Sequence, residues 1–114
     1  MEVKYEYYKD EIKRISKISI DKNSTLSSIS PSNEIGNIYD ETSYLRKYID
    51  DISNLENEIE NKKVIYTEKD NTLKFLKTLK ENKLKDFKKS LINYLSSELI
   101  QKEALQKNYY REDS

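Results

Sequence analysis

An elongated, all-α protein follows from three features of this sequence. Its apolar residues recur at helical intervals of three and four. One Pro and one Gly are spread over 114 residues, so little interrupts a helix. Charged residues (37%) outnumber apolar ones (35%), where globular chains average about 25% charged and about 45–50% apolar. So little apolar side chain supports a thin core strung along helices. The expected architecture is an antiparallel helical hairpin or coiled coil with one long bent helix. Its stripe calls for a partner, so an obligate oligomer is expected with it.

Residues 1–19 form the first amphipathic helix. Tyr5, Tyr8, Ile12 and Ile15 step by three and four along one face, while Glu2, Lys4, Glu6, Lys9, Lys13 and Lys17 supply the wet side. Ile18 and Ile20 begin a β-branched alternation that weakens the helix. Residues 20–40 form a loop. From Asp21 to Asn37 it holds five of the thirteen serines with Thr25, Pro31 and Gly36, residues that favour turns. A short turn of helix is expected at Asn33 to Ile38.

Residues 41–110 form the long helix, followed by a tail at 111–114. Asp40 or Thr42 caps its start, and Glu41 suits its first turn. Leu45, Tyr48, Ile52, Leu55 and Ile59 step 3, 4, 3, 4, a heptad seam. The seam fails between 62 and 72, where Lys62, Lys69 and Asn71 interrupt, and a bend is expected there. It resumes through Leu73, Leu76, Leu79, then Leu84, Phe87, Leu91, Tyr94 or Leu95, Leu99 and Leu105. The residues expected at an oligomer interface are Leu45, Ile52, Leu55, Ile59, Leu84, Phe87, Leu91, Leu95 and Leu99.

Composition excludes most chemistry. No Cys and no His removes the thiol nucleophile, the commonest general base and the usual zinc ligands. One Gly cannot build a phosphate-cradling loop. Paired acids such as Asp50 and Asp51, or Glu56 and Glu60, read as solvated surface. No catalytic residue, metal site, cofactor or small-molecule substrate is expected. Lys+Arg and Asp+Glu both number 21, so net charge draws the chain to neither nucleic acid nor membrane. No run approaches the roughly 18 apolar residues of a membrane span, and the N-terminus lacks a signal-peptide layout. An intracellular, cytoplasmic protein is expected.

Charge is nonetheless segregated. Residues 34–60 carry a net of −6 and residues 72–90 a net of +5. On a helical wheel Lys74, Lys77, Lys85, Lys88 and Lys89 fall within an arc of roughly 120°, away from the Leu73–Leu84–Phe87–Leu91 stripe. Such a row is either a plain solvated face or a contact for anionic phospholipid or an acidic partner helix.

Residues 83–110 carry a resemblance. Lys85-Asp86-Phe87-Lys88, then Ile92, Tyr94, Leu95 and Ser97, then Gln101, Leu105, Lys107 and Tyr109, resemble the last helix of sorting nexins of the BAR class. Tyr109 stands where that family usually has Trp. The resemblance implies a BAR-like fold: long kinked helices paired in a curved dimer whose basic face meets membrane. It further implies endosomal transport linked to retromer, peripheral on the endosomal membrane. The phosphoinositide-binding PX domain of that family has no counterpart here, and a complete BAR domain is longer than this chain. Two other readings stay open. One is a coiled-coil scaffold or complex subunit that binds another protein helix. The other is a small secreted helical hairpin, since Tyr109-x-x-x-Asp113 resembles the tail motif of type VII secretion substrates, although their Trp-x-Gly turn is absent.

Overall fold

The computed structural model describes residues 2–29, 43–65 and 70–113. Among the described residues three helices carry the fold: α1 (Glu2–Ser16), α2 (Ser43–Lys63) and α3 (Asn71–Asp113), with a 3-10 turn at Leu26–Ser28 between the first two. The described residues include no strand. The molecule measures 68 × 24 × 18 Å, with a radius of gyration of 18.0 Å. A compact chain of this length would have about 13 Å, so the shape is a rod. At 1.5 Å per residue α3 alone spans about 64 Å and forms the spine.

The first helix stops at Ser16, short of the expected 19. Its last turn tightens as the Ile18 N–H donates to the Ile15 carbonyl (3.1 Å). Asp21 then closes a turn. Its Oδ1 accepts the Asn23 N–H (2.8 Å), while Ser24 Oγ accepts the Asp21 N–H (3.0 Å). Thr25 leads into the 3-10 turn, where Ser28 Oγ accepts the Thr25 N–H (3.3 Å). The short helix expected at Asn33 to Ile38, and the caps at Asp40 or Thr42, lie outside the described residues.

The single bent helix expected over 41–110 is two helices. The chain leaves α2 after Lys63 and begins α3 at Asn71, inside the stretch where the seam fails. Asp70 starts α3: its Oδ1 accepts the Thr72 N–H (2.8 Å) and its carbonyl accepts the Lys74 N–H (3.1 Å). The second helix then runs antiparallel to the third. Ile59 packs with Leu73 and Leu76, Asp51 lies 3.5 Å from Lys83, and the Tyr48 and Phe87 rings stand 6.0 Å apart. α1 takes another flank, also antiparallel, with its Ser16 end at Lys88 and Tyr8 beneath the Lys102 ammonium (5.3 Å).

Most of the expected seam is buried within one chain. Leu45, Ile52, Leu84, Phe87, Leu91 and Leu95 are fully buried, joined by Ile15 of α1 and Ile29 of the linker. Ile59 belongs to a second cluster with Leu73 and Leu76, and Leu55 packs at its edge. Leu99 is half-buried. In this arrangement the fully buried side chains are inaccessible to a second copy.

The two helices of the hairpin keep different periods. Leu45, Ile52 and Ile59 repeat every seven residues along α2. On α3 the buried positions are 73, 76, 80, 84, 87, 91 and 95, which repeat every eleven. Eleven residues in three turns is about 3.67 per turn, slightly above the helix's own 3.6. That register puts Lys80, 6% exposed, in line with the leucines and leaves Leu79 only half-buried. Lys80 thereby separates the two apolar clusters.

Candidate functional site

The lysine row is built on α3, where a helix of Lys, Leu, Glu and Phe presents one charged flank beside its buried stripe. Lys74, Lys85 and Lys89 are exposed and Lys77 is half-buried. Lys74, Lys77 and Lys89 make no ion pair among the described residues. Lys85 lies 3.7 Å from Glu81 one turn earlier, a partly exposed pair worth little. About 22 Å separates Lys74 from Lys89 along the axis, from 1.5 Å per residue.

Lys88 has a different role from the one its place on the wheel suggests. Its ammonium donates to the Ile18 carbonyl (2.7 Å) and to the Ser16 carbonyl (3.3 Å). A cation at the end of α1 satisfies carbonyls that have no helical partner and opposes the negative end of the helix dipole. Lys85 and Lys88 also line an open groove with Ser16 to Ile20. The row is therefore four outward lysines and one that fastens α1 to the spine.

Two polar side chains are buried that composition alone does not single out. Glu11, 6% exposed, accepts two hydrogen bonds of 2.8 Å from the Arg14 guanidinium three residues on. Lys80 has no hydrogen bond or ion pair among the described residues. Burial lowers its pKa from the ordinary 10.5; Glu56 opposes that shift, Lys63 and Lys77 add to it, and Asp21 opposes it. Glu56 also fastens the linker, since its Oε1 accepts the Leu26 N–H at 2.7 Å. A position's place in the eleven-residue repeat was the signal for Lys80. For Glu11 the signal was its place one turn before Ile15.

A second surface lies on the α2 flank. Tyr44, Lys47, Tyr48, Asp51 and Lys83 line a shallow depression, and the Lys83 ammonium sits 6.0 Å over the Tyr48 ring. Burial raises the Tyr44 pKa above 10.0, helped by Tyr94 and Glu98. The arrangement offers a phenol and charged groups without an enclosed space. Among the described residues no group of three acidic side chains is placed to hold a metal ion, and no helix is long and apolar enough to cross a membrane.

The class defined here is an elongated all-helical chain, with three helices among the described residues. The chain matches no protein-family model, no curated protein and no solved structure.

Proposed function

We propose that this protein is a non-enzymatic helical module that binds anionic phospholipid membranes peripherally through the outward lysines of α3. The observation that carries the reading is the row Lys74, Lys77, Lys85 and Lys89. These cations are held on one rigid helix, and none of the four is buried. Near an anionic leaflet each such lysine contributes about 1 kcal/mol. The attraction falls off within a Debye length, about 8 Å at physiological salt. The resemblance of residues 83–110 to BAR-class sorting nexins supports the same reading, and an endosomal, retromer-linked setting comes from that resemblance alone.

A second reading is a scaffold that binds another helix, its own copy included. Ile100 and Leu105, 67% and 68% exposed on the far part of α3, favour it. Co-sedimentation separates the two. Membrane action predicts that the protein pellets with phosphatidylserine vesicles at low salt, and is released at high salt. Vesicles of phosphatidylcholine alone should not retain it. A folded helical protein that ignores both vesicles sinks the membrane reading and leaves the scaffold.

A further inference from the structure

The seam where the end of α1 meets α3 holds more hydrogen-bond donors than the fold uses. Ser16 to Ile20 on one side, with Lys85 and Lys88 on the other, line a groove of about 490 Å³. Every charged residue in that lining is a lysine: Lys17, Lys85 and Lys88. The Lys17 ammonium has no ion pair among the described residues. The Ser16 and Ser19 hydroxyls, and the Ser19 and Ile20 N–H groups, have no hydrogen-bond partner among them either.

Lys88 prepares this seam for an anion. The carbonyl end of a helix is negative and by itself repels one. Here the Lys88 ammonium covers the Ser16 and Ile18 carbonyls, at 3.3 and 2.7 Å. An ammonium has three donors, so one remains after those two bonds. Ile18 and Ile20, both half-buried, add an apolar lining.

Neighbouring acids do not cancel the charge. Residues 11–22 hold Lys13, Arg14, Lys17 and Lys22 against Glu11 and Asp21, a net of +2. Residues 81–89 hold four lysines against Glu81 and Asp86, again a net of +2. The α2 residues at this level, 44–53, hold Arg46 and Lys47 against Asp50 and Asp51, a net of zero. Glu56, which takes the Leu26 N–H, lowers the total only to +3. Glu81 engages Lys85 at 3.7 Å, and Asp86 stands about 160° round the helix from Lys88.

The donor set selects the kind of anion. A carboxylate offers two oxygens and a single charge. A phosphate monoester offers three terminal oxygens and a charge of about −1.5 to −2 at neutral pH. Three ammonium groups and two hydroxyls suit the second.

We infer that this groove is a binding site for a phosphoryl group. Lys17 and Lys85 supply charge, Lys88 its remaining donor, and Ser16 and Ser19 their hydroxyls. The site goes beyond the membrane reading and shares only Lys85 with it. A small phosphate monoester and a monoester lipid headgroup present the same chemistry here, and the test separates them.

Chemical shifts of the Ile18 and Ile20 amides follow binding in the full chain. The soluble probes are inorganic phosphate and glycerol phosphate, each against chloride at equal ionic strength. The lipid probes are phosphatidylcholine vesicles with phosphatidic acid, or with phosphatidylserine at equal surface charge. The variant Lys17→Gln with Ser19→Ala removes two side chains that make no described contact, and circular dichroism checks that helix content is kept. Lys74→Gln with Lys77→Gln, outside the groove, is the control. The expected result is a saturable shift with glycerol phosphate that chloride does not produce. Affinity should fall about tenfold in Lys17→Gln with Ser19→Ala, as for the loss of a charge-assisted hydrogen bond, and stay in the control. A preference for phosphatidic acid vesicles that the same variant abolishes upholds the site and assigns it a lipid headgroup. Saturation by glycerol phosphate without that preference upholds it and assigns a small monoester. No saturable shift and no preference overturns the site, as does a shift that Lys17→Gln with Ser19→Ala leaves unchanged. Salt-sensitive binding to phosphatidylserine vesicles in those cases leaves the lysine row standing. Saturable phosphate binding by a chain that ignores every vesicle removes the membrane reading and keeps the groove.

Discussion

The Lys88 ammonium lies 2.7 Å from the Ile18 carbonyl oxygen, seventy positions earlier in the chain. That contact ties the end of α1 to the middle of the spine. Lys88→Met keeps much of the stem and removes the charge. It should cost about 1 kcal/mol, the net worth of a partly exposed hydrogen bond from a charged donor. Urea unfolding measures it. An unchanged midpoint would show that the contact contributes nothing to stability.

Lys80 holds a core position with no ion pair among the described residues, so an apolar replacement should help. Lys80→Met joins the two apolar clusters and should raise stability by about 1 kcal/mol. A drop in thermal midpoint would mean that the attraction of Glu56 outweighs the cost of burial.

The same residue gives a pH dependence with a defined sign. The folded pKa of Lys80 lies below its ordinary 10.5, so the unfolded chain binds its proton more tightly. The cost of burying the charge is full below the folded value. It is relieved as pH rises from that value towards 10.5. Over that alkaline window the stability advantage of Lys80→Met should shrink. Parallel denaturation curves for the two chains, from pH 7 to pH 10.5, test this; a constant difference would contradict it.

Glu56 accepts the Leu26 N–H at 2.7 Å and so docks the linker on α2. Glu56→Ala should cost about 1–2 kcal/mol and speed hydrogen exchange at the Leu26 amide. Glu56→Gln keeps an acceptor and should cost less. Equal exchange in all three proteins would show that this hydrogen bond does not hold the linker.

Much of this architecture was legible because apolar side chains obey helical spacing. Leu45, Ile52 and Ile59 advertise α2 directly. The failure of that spacing between 62 and 72 locates the end of the helix. Spacing alone permits one bent helix there; Asp70, whose carboxylate caps the start of α3, makes it two. The leucines at 73, 76 and 79 draw the seam to Leu79 and past Lys80, although Lys80 lies seven residues after Leu73 and eleven before Leu91. A lysine is seldom buried, so its type argued against the position its spacing required. Lys88 shows the other limit. A helical wheel displays one helix and cannot show that the end of another will lie against it.

The most direct test of the account is charge reversal on the outward row. Lys74→Glu, Lys77→Glu and Lys89→Glu leave Lys88 and the buried stripe untouched, so the fold should persist by circular dichroism. Loss of low-salt binding to phosphatidylserine vesicles, by at least tenfold, is the predicted result; Lys88→Met should lose far less. Unchanged vesicle binding by the folded triple variant would contradict the account.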